Sequence, residues 1–318
     1  MSAVHAQSGG HHRRTRGAWA SRAAIASVCV AAFLLLLKAW AAAQTGSVAM
    51  LGSLADTGLD LVASLVTLWG VRMAATPADR EHRFGHGKAE ALAALFQVVI
   101  IVLSALAIGW RAVERLITGQ VTGNAGEGIA VSLVAIAATV ALLGFQRFVI
   151  RRTGSVAIGA DHIHYQSDVM LNIAVIAALA LDQYAGVSWA DPVFGLGIVA
   201  VLLFGASRAT MSAVDQLMDR EWPATKRETF IAAAARHPEL VGLHDLRTRS
   251  SGTTDFVQFH VWVRPDMTIA EAHVWMDRVE AELEAQFPGT EVLIHLDPEG
   301  KVDREGVLPS AIAEEPAR

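Results

Sequence analysis

Asp56 and Asp60 stand four residues apart inside an otherwise apolar run that extends from about Val48 to Met73. On a helix that spacing turns through about 400° and rises about 6 Å, so both acids lie on one face. A charge at bilayer depth costs roughly 2.5 kcal/mol or more, and two like charges add repulsion. Something positive must meet them. The same spacing recurs in a later apolar run, where His164 and Asp168 close the stretch Asp161-His162-Ile163-His164-Tyr165-Gln166-Ser167-Asp168. Three carboxylates and one imidazole make a four-ligand shell for a divalent cation, with oxygens at about 2.0 to 2.2 Å and nitrogen at about 2.0 to 2.1 Å if the ion is zinc. The competing reading is a set of isolated polar side chains facing a water-filled gap. Two pairs at identical spacing in separate apolar segments favour the shell.

Composition agrees with a bilayer setting. Of 318 residues, 53% are hydrophobic and 18% charged, too apolar a balance for an ordinary soluble protein. Charge is unevenly placed: residues 215 to 318 hold 20 of the 31 acids and 11 of the 26 bases. An apolar membrane part therefore precedes an acidic soluble part, with no basic surface for nucleic acid. The single cysteine, Cys29, excludes an intrachain disulfide and a cysteine-based zinc site.

Six apolar runs are long enough to cross roughly 30 Å of hydrocarbon at 1.5 Å per residue. They are Ala18 to Ala43, Val48 to Met73, Ala89 to Ile117, Gly128 to Ile150, Ile158 to Tyr184 and Pro192 to Met211. The first resembles a secretory signal, with a basic lead and Ala41-Ala42-Ala43 at its end, but its length suits a retained helix. His5, His11, His12, Arg13, Arg14 and Arg16 mark residues 1–17 as a basic, flexible tail. Arg13, Arg14, Arg16 and Arg22 precede the first span, Arg72, Arg80, Arg83 and Lys88 surround the second loop, and Arg147, Arg151 and Arg152 flank the fourth. The alternate loops lack Lys and Arg, although Arg111 and Arg115 lie near one of them. The positive-inside bias then places both termini in the cytoplasm, as an even number of spans requires.

After Trp222-Pro223 the pattern changes. Ala224 to Arg236 reads as a helix, Leu243 to Arg249 and Phe256 to Val263 as strands, Ile269 to Phe287 as a second helix and Thr290 to Leu296 as a last strand. The expectation is a six-helix transmembrane domain over 18–214, an α+β domain of αββαβ order over 215–300 with helices on one face of its sheet, and a disordered tail over 301–318.

The chain resembles the cation diffusion facilitator family, in particular its bacterial zinc and ferrous-iron efflux branch. The resemblance rests on Thr45-Gly46-Ser47-Val48, Asp56-x-x-x-Asp60, Phe84-Gly85-His86-Gly87-Lys88-Ala89-Glu90, His164-Tyr165-Gln166-Ser167-Asp168, His244-Asp245-Leu246-Arg247-Thr248-Arg249 and His295-Leu296-Asp297. Several such blocks in order form a strong signal where one alone would not. The family implies a transport site at Asp56, Asp60, His164 and Asp168, alternating access, and divalent-cation efflux against protons across a bacterial inner membrane. It also implies a metallochaperone-like soluble domain and a homodimer in which Lys88 and Asp219 form a charge interlock; two ordinary juxtamembrane charges are the simpler reading. Asp161 lies on the ligand face as a proton or access-path residue, or as an acid at the membrane edge. His162 points about 200° away from His164 and falls outside the shell.

Two further clusters stand out. Asp79, His82 and His86 lie in the loop after the second span, where the family places a lesser metal site; a solvated polar loop is the alternative. His244, His260, His273, His295 and Asp297 crowd the soluble part, where the family implies a binuclear zinc site between two cytoplasmic domains, structural or regulatory. Leu296 stands where relatives can carry a polar residue, which leaves one auxiliary ligand in doubt. Competing functions fit less well. An intramembrane metalloenzyme would want a motif such as His-Glu-x-x-His, which does not occur, a passive uniporter would want a continuous polar pore, and a membrane-bound metal sensor leaves the buried acids without a purpose. One imidazole among three carboxylates suits zinc first, with ferrous iron and cadmium as further substrates.

Overall fold

The computed structural model describes residues 2–45, 48–118, 129–185 and 189–299. Proline marks the end of one long helix and the start of another. Pro77 follows the second apolar run, and Pro192 falls in the first turn of the sixth, where a missing N–H costs nothing. The apolar runs form six helices: α1 (Ser2–Thr45), α2 (Val48–Ala74), α3 (Ala89–Thr118), α4 (Ile129–Thr153), α5 (Val156–Ala185) and α6 (Ala190–Leu217). Residues 2–17, expected as an irregular lead, continue the helical backbone of α1, since no proline interrupts the chain between Ser2 and Thr45. The tail expected from residue 301 lies outside the described residues.

Four segments, Thr15–Gln44, Ala89–Thr118, Leu133–Thr153 and Pro192–Leu217, are by themselves long and apolar enough to cross a membrane. The remaining two helices, α2 and α5, are 27 and 30 residues long and carry the acids and histidines of the candidate site. Outward faces are apolar: Trp110 is 75% exposed and Leu36 70%. That surface suits lipid, not water.

Inside the unit Gly17–Val214, small residues set the packing. Ala20, Ala23 and Ala24 of α1 meet Val71 of α2, Ala93 of α3, Val149 of α4, and Ala157 and Ile158 of α5. A second cluster joins α3 (Val98, Ile101, Ala105) to α6 (Ile198, Leu202, Ala206), with Ile163 and Met170 of α5 against it. Such close approach is what bilayer helices use when no hydrophobic effect drives them together. Between α4 and α5 the chain reverses within two residues. Gly154 adopts φ 66°, its N–H donates to the Ile150 carbonyl at 2.8 Å, and Ser155 Oγ accepts the Ile158 N–H at 3.3 Å. This tight turn lays α5 against α4.

The C-terminal unit has the order α7 (Ala224–Ala234), β1 (Val241–Ser251), β2 (Thr254–Val263), α8 (Ile269–Gln286) and β3 (Thr290–Pro298). Its sheet runs β1-β2-β3, with β1 antiparallel and β3 parallel to β2. Phe230 of α7, Val279 and Leu283 of α8, and Val257, Phe259, Val261, Val292 and Ile294 of the sheet form one core. Thr268 and Glu271 close a capping box at the start of α8. The two hydrogen bonds from Thr268 to the Glu271 carboxylate, backbone first, hold that acid below its usual range. Farther along α8, Glu280 accepts the Ile294 N–H at 3.2 Å and Glu284 the Val292 N–H at 3.4 Å. Two donors on the outer edge of β3 are thereby occupied.

The tightest interhelical point is Gly70, where an added Cβ would stand 2.3 Å from Ala93 Cβ and 3.1 Å from the Ala89 carbonyl oxygen. Gly70→Leu is expected to cost about 1 to 3 kcal/mol by overpacking. Thermal unfolding in detergent checks this: a lowered midpoint is the expected result.

Candidate metal centres

Asp60 on α2 and His164 on α5 meet across the helix interface, with His164 Nε2 2.9 Å from Asp60 Oδ1. Asp168, one turn further along α5, completes a group whose ligand atoms all lie within 4.8 Å of one another. His164 is buried and the two acids are half-buried. Tetrahedral ligands at about 2.1 Å from an ion are about 3.4 Å apart, so small side-chain movements suffice to close this group on a cation. Asp56 is exposed and lies outside the group. It sits a full turn before Asp60 on α2, about 6 Å along the axis. Three of the four expected ligands are thus together.

Around the group runs a hydrogen-bonded shell that spacing alone did not announce. Ser64 of α2 shares a 2.8 Å hydrogen bond with the Tyr165 hydroxyl, which also donates to the Ser27 carbonyl at 3.2 Å. Lys38 of α1 donates to Thr57 Oγ1 at 2.6 Å, placing an ammonium group beside the turn of α2 that holds Asp60. Asp161 is fully buried. It accepts from Ser27 Oγ at 2.6 Å, Gln146 Nε2 at 2.8 Å and Gln97 Nε2 at 3.5 Å. These donors come from α1, α4 and α3. His162 lies outside the ligand group, as its helical angle required, with Nδ1 3.2 Å from Gln146 Oε1. The signal for Ser27, Gln97 and Gln146 was their polarity inside apolar runs, but one polar residue per helix has no spacing to read.

The loop after α2 forms a second group of Asp79, His82 and His86. Asp79 accepts the His82 N–H at 2.6 Å and the Glu81 N–H at 2.9 Å, while His82 Nδ1 and His86 Nε2 stand 3.4 and 3.3 Å from its carboxylate. The His82 backbone bond, aided by that of Glu81 and by both imidazoles, holds the Asp79 carboxyl below the usual aspartate range. The other ring nitrogen of His86, Nδ1, is buried with no hydrogen-bond partner among the described residues.

The third group follows from strand register. His244, His260 and His295 are successive partners across β1, β2 and β3. Because Phe259, Val261 and Ile294 face the helices, alternation sends His260 and His295 to the opposite face. Asp297, two residues after His295, turns to the same face. Its carboxylate lies 2.8 Å from His260 Nδ1, 3.3 Å from His244 Nε2 and 3.4 Å from His295 Nε2. His244, His260 and Asp297 form the compact triad, and Asp245, at φ 45° in the bulged part of β1, stands 3.7 Å from His260. His273 lies apart on α8, exposed and 3.4 Å from Asp277. Leu296 packs against the core, so the missing polar group there follows from the inward turn of that position. Asp219 accepts from Arg249 at 3.4 Å, and Lys88 is half-buried just before α3.

Replacing Asp297 by Asn removes the one carboxylate that contacts all three imidazoles. Zinc binding by the C-terminal group should weaken about 10- to 100-fold, read by titration against a chromophoric chelator.

The chain is similar to known proteins over most of its length. Residues 24–218 match the family described as the cation efflux transmembrane domain, and residues 222–299 match the cation efflux protein cytoplasmic domain. The cation-efflux pump FieF of Citrobacter koseri is 45% identical over 293 residues, 92% of this chain and 97% of that protein. FieF of Klebsiella pneumoniae subsp. pneumoniae is 45% identical over 286 residues, 90% of this chain and 95% of that protein. A solved structure of CzrB is 36% identical over 25% of this chain and 99% of its own, with a TM-score of 0.24.

Proposed function

This chain belongs to the cation diffusion facilitator, or cation efflux, family and is a divalent metal cation efflux transporter, not an enzyme; we propose that it carries zinc through the group Asp60, His164 and Asp168 in exchange for protons. The supporting observation is the 2.9 Å approach of His164 to Asp60 across α2 and α5, with Asp168 in reach. Asp56 completes the shell once an ion draws it in. Ferrous iron and cadmium are further substrates of the same donor set.

The chemistry follows from competition at one place. Carboxylates and imidazole must lose protons to bind a metal ion, so protons arriving from outside release it and protons leaving inward let the next ion bind. Alternating access then reduces to tilting α2 and α5 about a fixed group. Exchange of one proton for one doubly charged ion would work against an inside-negative potential by about 2.3 kcal/mol per 100 mV, whereas two protons make the cycle neutral.

The arrangement of basic residues supports a bacterial inner-membrane orientation with both termini in the cytoplasm. The matched cytoplasmic family domain supports a homodimer. In that dimer, His244, His260 and Asp297, with His295 beside them and His273 supplied from farther along α8, hold zinc between two acidic domains. The ion offsets their mutual repulsion and favours the closed pair. Lys88 and Asp219 form the interlock between copies, and Asp79, His82 and His86 form a lesser ion site. The membrane domain covers 18–214 and the cytoplasmic domain 215–300.

Reconstitution in proteoliposomes with a zinc-sensitive dye inside tests the reading. Zinc flux should follow an imposed proton gradient and vanish in Asp60→Ala. Flux indifferent to the gradient would make the protein a uniporter, and absent flux for zinc, iron and cadmium would make it a sensor.

His164→Asp replaces the one nitrogen by oxygen. The preference for zinc over manganese should fall about tenfold or more, measured as competing fluxes. An unchanged preference would remove His164 from the shell.

A further inference from the structure

Along one flank of α5 lies a cavity of about 590 Å³, walled by the end of α4, by α5 and by α6. Its size falls in the roughly 300 to 1,000 Å³ range of small-molecule sites. It extends along α5 from Ser155 to Met170, about 22 Å at 1.5 Å per residue. Half of a roughly 30 Å hydrocarbon core is about 15 Å, so this length matches one acyl chain and the start of its headgroup. Ile163, Met170 and Leu202 make the deep part apolar.

Among the described residues, Arg208 is the one charged side chain on the wall, and no carboxylate lines it. The guanidinium is exposed, and its recorded side-chain contact is the Phe204 ring, 5.8 Å from the centroid. A cation path lined by an uncompensated arginine would repel its cargo, so this cavity does not serve the transported ion. An anion fits: guanidinium binds phosphate in two-pronged fashion. The cavity also lies at the end of the bundle where Arg147, Arg151 and Arg152 gather, the side assigned above to the cytoplasm, where membranes carry anionic lipid.

We propose that the crevice between α5 and α6 binds an anionic phospholipid, with its headgroup phosphate on Arg208 and one acyl chain beside Ile163, Met170 and Leu202. The placement of the headgroup in the cytoplasmic leaflet rests on the orientation proposed above; the binding itself does not depend on transport. Bound there, the lipid braces the flank of α5 beside its ligands, coupling membrane composition to the helix that holds His164 and Asp168.

Native mass spectrometry of the detergent-purified full-length protein tests this with phosphatidylglycerol, phosphatidylcholine, and phosphatidylglycerol plus excess inorganic phosphate. Wild type should retain phosphatidylglycerol about fivefold better than phosphatidylcholine, the weight of one arginine beside an anionic headgroup. Arg208→Gln should erase that preference and Arg208→Lys should keep part of it. Gly159 lines the cavity, and a Cβ there meets nothing within 4 Å. Gly159→Phe should therefore fold and weaken retention of both lipids by filling the crevice. Equal retention of the two lipids by wild type, or an unchanged preference in Arg208→Gln, overturns the proposal. Displacement of phosphatidylglycerol by inorganic phosphate overturns it in favour of a free-anion site. Asp60→Ala should bind lipid like wild type, which separates this result from any failure of the transport reading.

Discussion

Carboxylates cannot sit in hydrocarbon alone, and the membrane unit is built around that cost. Asp60 and Asp168 are held where His164 can reach them, and the 2.9 Å contact between Asp60 and His164 is also the point at which α2 and α5 are registered. Asp161 is treated differently. It takes neutral donors from Ser27, Gln146 and Gln97 and thereby ties α5 to α1, α4 and α3. The first carboxylates are left able to accept a cation; the last is saturated by hydrogen bonds. One helix face thus carries the proposed site and its anchor a single turn apart.

The cytoplasmic part solves another problem with another period. Its sheet has one face buried by α7 and α8, so every second residue of β2 and β3 is turned away from them. Register then places His244, His260 and His295 in one row, and the two-residue step from His295 brings Asp297 among them. The proposed metal there would draw on side chains from all three strands. Both centres therefore arise where the element's own periodicity puts ligands side by side: four residues along a helix, two along a strand.

That difference also explains what could be read from the chain. The four-residue spacing of Asp56, Asp60, His164 and Asp168 is local, and it pointed to α2 and α5 before any packing was known. The six helices and the αββαβ order were legible for the same reason, since apolar runs, prolines and alternation are local signals. Asp56 marks the limit: sharing a helix face with Asp60 does not set its distance from α5, which depends on how two helices lean. Ser27, Gln97 and Gln146 were unreadable because each is a single polar residue on its helix, and only packing brings them to Asp161. His273 illustrates the converse. Nearness in sequence grouped it with the strand histidines, but it sits on the exposed side of α8.

Transport through Asp60, His164 and Asp168 requires that a divalent cation sit between α2 and α5. The direct measurement is anomalous scattering at the zinc edge from crystals of the full-length protein grown with zinc. A peak about 2.0 to 2.2 Å from Asp60 Oδ1, His164 Nε2 and an Asp168 oxygen is the predicted result. Zinc at His244, His260 and Asp297 with no density between α2 and α5, in crystals where both places are accessible to the ion, would contradict it.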